Sequence, residues 1–206
     1  MANFGVPIRL TNASGVSTEY NCIGAYRTAV RIVSTTAQAA NSRIFEIRNT
    51  NASNLIVPTR LKLVALQTAA GTAQENSLDC YKVTGFSVVD TTNTVTPAKS
   101  TIQTAMPAYP GGTSIRHLTI AGHAAGMTGG TLTKDAQFFA TLPYNVAAAI
   151  NTTTQFSMNA FDGMDKEYPM VFIQNEGFII ENSILNATSY GMTWYLDFAW
   201  KELAAV

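Results

Sequence analysis

The stretch from Met192 to Lys201 constrains the fold more than any other part of this chain. Its large apolar residues occupy every second position, namely Met192, Trp194, Leu196, Phe198 and Trp200. Successive side chains of a β-strand point to opposite sides, so this alternation places all of them on one face, whereas a helix would scatter them around its axis. Burying them contributes roughly 8–15 kcal/mol. The pattern predicts a core strand over which other strands pack.

Most of the remaining chain also reads as strands separated by turns. We predict strands over residues 23–34, 43–48, 55–67, 78–89, 115–120, 136–142, 153–158, 170–174 and 178–181. A helical turn is suggested only at Asn145–Ile150. About nine to eleven strands with almost no helix predict an all-β protein, either a sandwich or a barrel. We favour an antiparallel jelly-roll-like β-sandwich with long loops over an immunoglobulin fold, because no Cys–Trp–Cys spacing appears.

Three local signals predict where these strands are interrupted. Pro58 has no backbone N–H to donate, so it marks an edge, a bulge or a break. Gly85 suggests a bulge. Asn175–Gly177 is a three-residue segment that ends in glycine, which favours a hairpin joining residues 170–174 to residues 178–181.

The chain divides into an arm and one domain. Residues 1–21 mix Gly, Pro, Asn and Ser with little periodicity. They predict an extended N-terminal arm, either docked on a neighbour or frayed. Residues 22–206 are expected to form a single β-sandwich that needs no metal or disulfide to hold its core. Cys22 and Cys80 are expected to be reduced buried thiols. No export signal or membrane span is recognisable, so we expect synthesis in a cytoplasm and no membrane partner.

The chain is electrically balanced and poor in charge. It has 13 Lys and Arg against 13 Asp and Glu, and charged residues make up 13% of the chain. Soluble monomers usually carry more net charge, so we expect sister subunits or a larger assembly to cover much of the surface. A neutral secreted β domain is the alternative. The cations are spread along the chain, although Arg60 and Lys62 alternate with leucines and define one wet strand face. We therefore predict no direct contact with nucleic acid.

Candidate catalytic and metal-binding residues are few. His117 and His123 are the only histidines, and their spacing matches no zinc pattern. Cys22 or Cys80 beside a histidine is a formal candidate for a nucleophile, but no G-x-S-x-G elbow occurs. Four acids offer oxygen ligands for calcium without the EF-hand spacing, and a solvated acidic turn is the favoured interpretation. These acids are Asp135, Asp162, Asp165 and Glu167. We predict no enzyme activity and no catalytic, cofactor-binding or metal-ligating residues.

Aromatic residues offer a second kind of candidate site. Trp194 and Trp200 lie on the apolar face of the last strand, where core packing explains them better than sugar binding. Tyr81, Tyr109 and Tyr168 are the candidates for exposed rings in a carbohydrate site.

Two stretches resemble a known group of proteins. They read FEIRNTNASNLIVPTRLKL and NEGFIIENSILNATSYGMTWYLDFAWKEL. The resemblance covers roughly residues 43–66 and 172–202. They resemble the jelly-roll virion proteins of tailed bacteriophages, in which an early F-E-I-R-N strand is followed by a late G-E-G-hydrophobic-N strand. A terminal strand then ends in aromatic-x-E. This chain has Asn175-Glu176-Gly177 where a Gly-Glu-Gly-like turn is expected.

The resemblance implies a capsid cement, or decoration, protein. Such a protein forms homotrimers on the outer surface of the virion, binds the major capsid protein and stabilises the lattice after assembly in the host cytoplasm. Residues 1–20, 90–113 and 121–133 are the expected contact segments. The alternatives are a carbohydrate- or receptor-binding head-fibre or tail domain, a jelly-roll shell protein, and a hydrolase with an unrecognised site.

Overall fold

The computed structural model describes residues 10–11, 17–18, 22–35, 37–101, 113–119, 124–150, 155–161, 169–185 and 191–204. These residues form antiparallel β-strands and contain no helix, so the predicted all-β antiparallel architecture is confirmed. The strands are β1 (Leu10–Thr11), β2 (Ser17–Thr18), β3 (Cys22–Ser34), β4 (Ser42–Asn49), β5 (Asn54–Gln67), β6 (Gln74–Phe86), β7 (Thr94–Val95), β8 (Ser100–Thr101), β9 (Thr113–Leu118), β10 (Leu132–Lys134), β11 (Ala140–Val146), β12 (Gln155–Ala160), β13 (Gly177–Asn182) and β14 (Met192–Ala204). A helix able to cross a bilayer is absent from this described part of the chain.

The strands form two main sheets. The five-stranded sheet has the order β12-β5-β14-β3-β8. The seven-stranded sheet has the order β10-β6-β13-β4-β9-β7, and β11 pairs with the first half of β6 while β10 pairs with its second half. Strands β1 and β2 pair only with each other, and they are the described part of the predicted arm; its other residues up to 21 lie outside the described residues.

Eight of the strands pair in a nested order. β3 pairs with β14 and β5 with β12 in one sheet, while β4 pairs with β13 and β6 with β11 in the other. The chain therefore follows one long antiparallel ribbon that is folded over into two layers. Residues 87–139, between β6 and β11, are an insertion into this ribbon and carry the four strands β7 to β10.

The core lies between the two sheets. Phe198 of β14 packs against Phe178 of β13, with ring centroids 5.3 Å apart, and against Phe45 of β4 at 6.2 Å. It also stacks on Trp200 at 5.3 Å. The apolar face predicted for β14 is buried, whereas Tyr195 on the opposite face is 39% exposed. Period-two alternation thus identified the strand and its buried side correctly.

Two predicted interruptions are bulges. β14 pairs Ala199 with Arg60 but Trp200 with Pro58, so Thr59 is the extra residue of a bulge beside the proline. The ladder between β5 and β12 has already ended at Leu61. In β6 the partners shift from Gly85 to Val83, which leaves Thr84 as the extra residue.

The predicted hairpin around Asn175–Gly177 is wrong. Phe172 exchanges two backbone hydrogen bonds, of 3.1 and 2.9 Å, with Ile56 of the five-stranded sheet. β13 begins at Gly177 in the other sheet, so residues 170–176 cross between the layers. This crossing brings Phe172 and Phe178 into the core from opposite sheets, with ring centroids 6.1 Å apart. Asn175 turns the chain with φ 66°.

Other differences concern strand ends. β6 begins at Gln74 rather than near Leu78, and β11 spans Ala140–Val146 rather than 136–142. The two strands pair from Val146 opposite Gln74 to Ala140 opposite Cys80, so ladder hydrogen bonds extend both into polar sequence. The helical turn predicted over Asn145–Ile150 is wrong, because the end of β11 occupies its first two residues and bends follow.

Candidate docking surface

The outer face of the seven-stranded sheet is covered by the insertion. Val83, Phe86 and Ile179 form a buried apolar cluster on this face, and Tyr81 and Leu132 pack against them. Leu132 belongs to the insertion itself. A buried apolar cluster on the outside of a sheet needs a covering layer, and residues of the insertion provide it.

A buried ion cluster fastens this cover to β4. The Arg43 guanidinium lies 3.3 Å from Glu46 Oε2 and 3.2 Å from Asp90 Oδ2, and it donates to the Gly129 carbonyl at 3.1 Å. The other Asp90 oxygen accepts from the backbone N–H groups of Thr92 at 3.0 Å and Gly129 at 2.8 Å. One arginine and one aspartate thereby join two separate parts of the insertion to the sheet.

Glu46 is the most strongly perturbed carboxyl group in this cluster. Burial raises its pKa from 4.5 to about 7, and hydrogen bonding from the Asp90 backbone and the charge of Arg43 offset only part of that rise. The Asp90 N–H donates to Glu46 Oε1 at 3.4 Å. The cluster therefore has a protonation equilibrium near neutral pH.

The ion cluster limits what the expected contact segments can do. Within residues 90–101 and 124–133, the backbone around Asp90 and Gly129 is occupied by bonds to the sheet. Val95 is 40% exposed, and Val88, just before this range, is 54% exposed. The described insertion therefore offers a partner exposed apolar side chains rather than free loops.

The outer face of the five-stranded sheet has a different character, because charged side chains stand on it in water. Alternation along three adjacent strands places five cations and one carboxylate on this face. They are Arg27 and Arg31 of β3, Arg60 and Lys62 of β5, and Lys201 and Asp197 of β14. Among the described residues of these three strands, five of the chain's 13 cations therefore share one face with a single acid.

The ladders of β14 set the positions of these groups. Ala199 lies between Arg27 and Arg60, and Asp197 lies between Ala29 and Lys62. Tyr195 in turn lies between Arg31 and Val64. Side chains of β3 and β5 in one row are about 10 Å apart, because neighbouring strands are separated by nearly 5 Å.

One of these cations has an acidic partner on the face. Arg60 Nη2 lies 2.8 and 2.7 Å from the two carboxylate oxygens of Asp197, and the two side chains are 45% and 40% exposed. Arg27, Arg31 and Lys62 are exposed and form no ion pair with a carboxylate of the described residues. The face therefore carries a local excess of positive charge on a chain of zero net charge.

A shallow hollow of about 420 Å³ lies at the middle of this face. Its floor is apolar and its edge is charged. The residues that line it include Ala29, Val64, Tyr195, Arg31, Lys62 and Asp197. A second hollow of about 440 Å³ adjoins it where residues 98–100 meet β3, and it shares Ala29 and Asp197 with the first.

The histidine and cysteine candidates are placed apart from this face. His117 of β9 is buried, its Nδ1 lies 2.8 Å from the Leu118 carbonyl oxygen, and burial lowers its pKa, which favours neutral imidazole. Cys80 is a free buried thiol, and burial, with a contribution from Asp79, raises its pKa well above its ordinary value. Cys22 begins β3. His123 lies outside the described residues, as do three of the four acids, Asp162, Asp165 and Glu167.

The remaining candidates give no assembled site in the described part of the chain. Asp135 is exposed, and no group of three or more potential metal ligands occurs among the described residues. Lys134 lies 4.2 Å from the centre of the Tyr81 ring, and Phe138 meets that ring edge-on at 6.2 Å. Tyr109 and Tyr168 are not among the described residues.

The outer face of the five-stranded sheet was not predicted from the sequence, although the sequence contains part of the signal. Arg27 and Arg31 are four residues apart, and Arg60 and Lys62 are two apart; even spacings place side chains on one face of a strand. What the sequence does not reveal is that β3 and β5 both flank β14. That adjacency brings the two pairs of cations together.

Comparison with known proteins gives no assignment: no protein-family model, no curated protein and no solved structure matches this chain.

Proposed function

We propose that this protein is a virion structural protein of the capsid cement type, which binds the outer capsid lattice as a homotrimer and stabilises it. The observation that carries the proposal is the contrast between the two outer faces of the sandwich. One is sealed by the protein's own insertion, while the other presents exposed cations without acidic partners among the described residues. A face of this kind suits a binding module.

The nested strand order supports a jelly roll. Pairing of β3 with β14, β4 with β13, β5 with β12 and β6 with β11 gives eight strands in two sheets with repeated crossings between layers. Eight-stranded double-sheet folds of this kind occur in viral capsid domains. Fold alone does not specify function, so this step supports the class and no more.

The phage-like stretches form the centre of the scaffold. Residues 43–66 contain most of β4 and β5, and residues 172–202 contain β13 and most of β14. In each sheet these stretches supply adjacent strands, β4 beside β13 and β5 beside β14. The resemblance therefore concerns the central strands, which also carry Arg60, Lys62 and Asp197 of the outer face of the five-stranded sheet, while the insertion lies outside both stretches.

The mechanism follows from mass action. A ligand that binds the assembled lattice and not the separated subunits stabilises the lattice, by about 2.7 kcal/mol at a concentration a hundred times its dissociation constant. A trimer engages several capsid subunits at once, so modest contacts sum to strong avidity.

The test uses the purified protein with capsids built from the major capsid protein of the same genome. We expect a trimer by light scattering, co-sedimentation with capsids, and a higher capsid melting temperature in its presence. A protein that stays monomeric at micromolar concentration and does not sediment with capsids contradicts the proposal. Selective hits on a glycan array instead favour the receptor-binding alternative, and spontaneous assembly into closed shells favours the shell protein.

A further inference from the structure

We propose that the outer face of the five-stranded sheet binds a carboxylate-rich protein surface, with Tyr195 at the centre of the contact and Arg27, Arg31 and Lys62 pairing with acidic side chains around it. This rests on the proposed function, because the partner is then an acidic patch on the capsid subunit.

The charge on this face favours an acidic partner. Strands β3, β5 and β14 bring five cations and one acid to this face, and the Arg60–Asp197 pair uses the one carboxylate that these three strands place there. Arg27, Arg31 and Lys62 remain, exposed and without an ion pair to the described carboxylates. Complementary charge across an interface steers association and selects the partner, so the matching surface is acidic.

The composition of this face favours a protein partner over a nucleic acid. The hollow around Tyr195 has an apolar floor that includes Ala29 and Val64, and the charged groups stand at its edge. Protein interfaces have an apolar centre and a polar rim, and they are enriched in Tyr and Arg. Nucleic-acid interfaces are more polar and much more positively charged. The arrangement on this face is that of a protein interface.

The same charges disfavour a second copy of the chain as the partner on this face. In a two-fold interface the same patch meets itself, which here places Arg27, Arg31 and Lys62 against like charges. Like-charge contacts of this kind cost several kcal/mol. The sheet face therefore binds a different surface, and the contacts that hold the proposed trimer together lie elsewhere.

The area of this face indicates how strongly one copy can bind. The rows from Thr193 to Lys201 span about 27 Å, and three strands with their side chains span about 15 Å, which gives roughly 400 Å². A stable interface of standard size buries about 800 Å² on each partner. One face therefore binds weakly, and three faces on a trimer bind the lattice through avidity.

The test compares charge reversal on this face with charge reversal elsewhere. Arg31→Glu combined with Lys62→Glu reverses two exposed cations of the face, and Lys82→Glu on the other sheet is the control. Capsid binding is measured by co-sedimentation at low and at near-physiological salt. We expect the double variant to lose at least tenfold in affinity and the control to stay within twofold. Wild-type binding should weaken as salt increases, because exposed charges are screened. Melting curves that match the wild type show that each variant is folded.

Two probes separate the possible partners and the possible failures. Polyglutamate and a duplex DNA of about 30 base pairs are offered to the wild type and the double variant at the same salt. Preferential binding of polyglutamate that the double variant loses supports the proposal. Tighter binding to the DNA overturns the assignment to a protein. Unchanged capsid binding by the double variant overturns the face assignment and leaves the proposed function standing, whereas a wild type that ignores capsids overturns the proposed function.

Discussion

The two outer faces of the sandwich treat charge in opposite ways. On the seven-stranded sheet, Arg43, Glu46 and Asp90 are taken out of water and fasten the insertion to β4. On the five-stranded sheet, Arg60 and Asp197 form their ion pair in water, and the neighbouring cations stay exposed. The buried cluster fixes the protein's own architecture, while the exposed charges remain available to another molecule.

This difference originates in one connection of the chain. The insertion of residues 87–139 lies between β6 and β11, which are neighbours in the seven-stranded sheet. Its backbone therefore starts and ends beside that sheet, so Asp90 and Gly129 lie against Arg43 and Glu46 of β4, while Leu132 joins the sheet edge in β10. Among the strands that the structure describes in the insertion, β8 pairs with the edge of the five-stranded sheet, at Tyr26 and Arg27 of β3.

Removing the central cation should cause the largest loss of stability. Arg43→Ala leaves Glu46 and Asp90 buried without their counter-ion, which typically costs about 3–5 kcal/mol. Chemical denaturation at pH 8 is the measurement, because this pH lies above the pKa of about 7 that Glu46 has beside Arg43, so the wild type holds a charged Glu46 paired with its counter-ion there. We also expect faster proteolysis within residues 87–131, since the cover loses its attachment. A loss below about 1 kcal/mol would show that the cluster does not hold the insertion in place.

The close approach of β13 to β4 in the seven-stranded sheet should give the second largest loss of stability. A Cβ atom added at Gly177 would overlap the Ile47 carbonyl oxygen and lie 2.9 Å from the carbonyl carbon of that residue. Backbone cannot move aside cheaply, so Gly177→Ala should destabilise the protein by roughly 2–3 kcal/mol. Gly85→Ala is the matched control, because its nearest neighbour is the Thr133 hydroxyl oxygen at 4.0 Å. Equal melting temperatures for the two variants would contradict the close approach of β13 and β4.

The pH dependence of stability tests the same cluster without removing its cation. The folded protein raises the pKa of Glu46 from 4.5 to about 7, so between these values the folded state keeps a proton that the unfolded state releases. This contribution to stability is complete below the lower value and is lost as pH rises through the upper one. Relative to Glu46→Gln, the wild type should lose about 2 kcal/mol between pH 5 and pH 8. Parallel stability curves for the two proteins would show that Glu46 does not titrate in this range.

The sequence predicted best what is decided within one strand. Alternation from Met192 to Lys201 identified β14 and its buried face, because neighbouring side chains meet opposite environments. Pro58 and Gly85 marked bulges, because the missing N–H and the missing Cβ act locally. The crossing at residues 170–176 was misread as a hairpin, because its turn residues are ordinary and only Phe172, paired with Ile56 of the other sheet, reveals the crossing.

The charged outer face of the five-stranded sheet could not be predicted from the sequence either, because it depends on pairing between strands that are far apart in the chain. Arg27 and Arg60 are far apart in the chain, and only their shared neighbour Ala199 places them in one row. The zero net charge does not show this asymmetry, because acids buried elsewhere, such as Glu46 of β4 and Asp90 of the insertion, are counted against cations that stand on this face. Pairing between distant strands, rather than composition, therefore decides where the charge excess lies.

The smallest loss of stability should come from removing the exposed ion pair between Arg60 and Asp197. Arg60→Ala removes the partner of Asp197 where both side chains are about two-fifths exposed. Exposed pairs contribute about 0–1 kcal/mol, because water and salt screen both charges. We therefore expect Arg60→Ala to change stability by less than about 1 kcal/mol, against the several-fold larger loss for Arg43→Ala. Both variants remove one arginine from a two-sheet sandwich, so parallel denaturation curves compare the two faces directly. Equal losses would mean that the two outer faces are equally wet, and the distinction between a sealing face and a binding face would then be wrong.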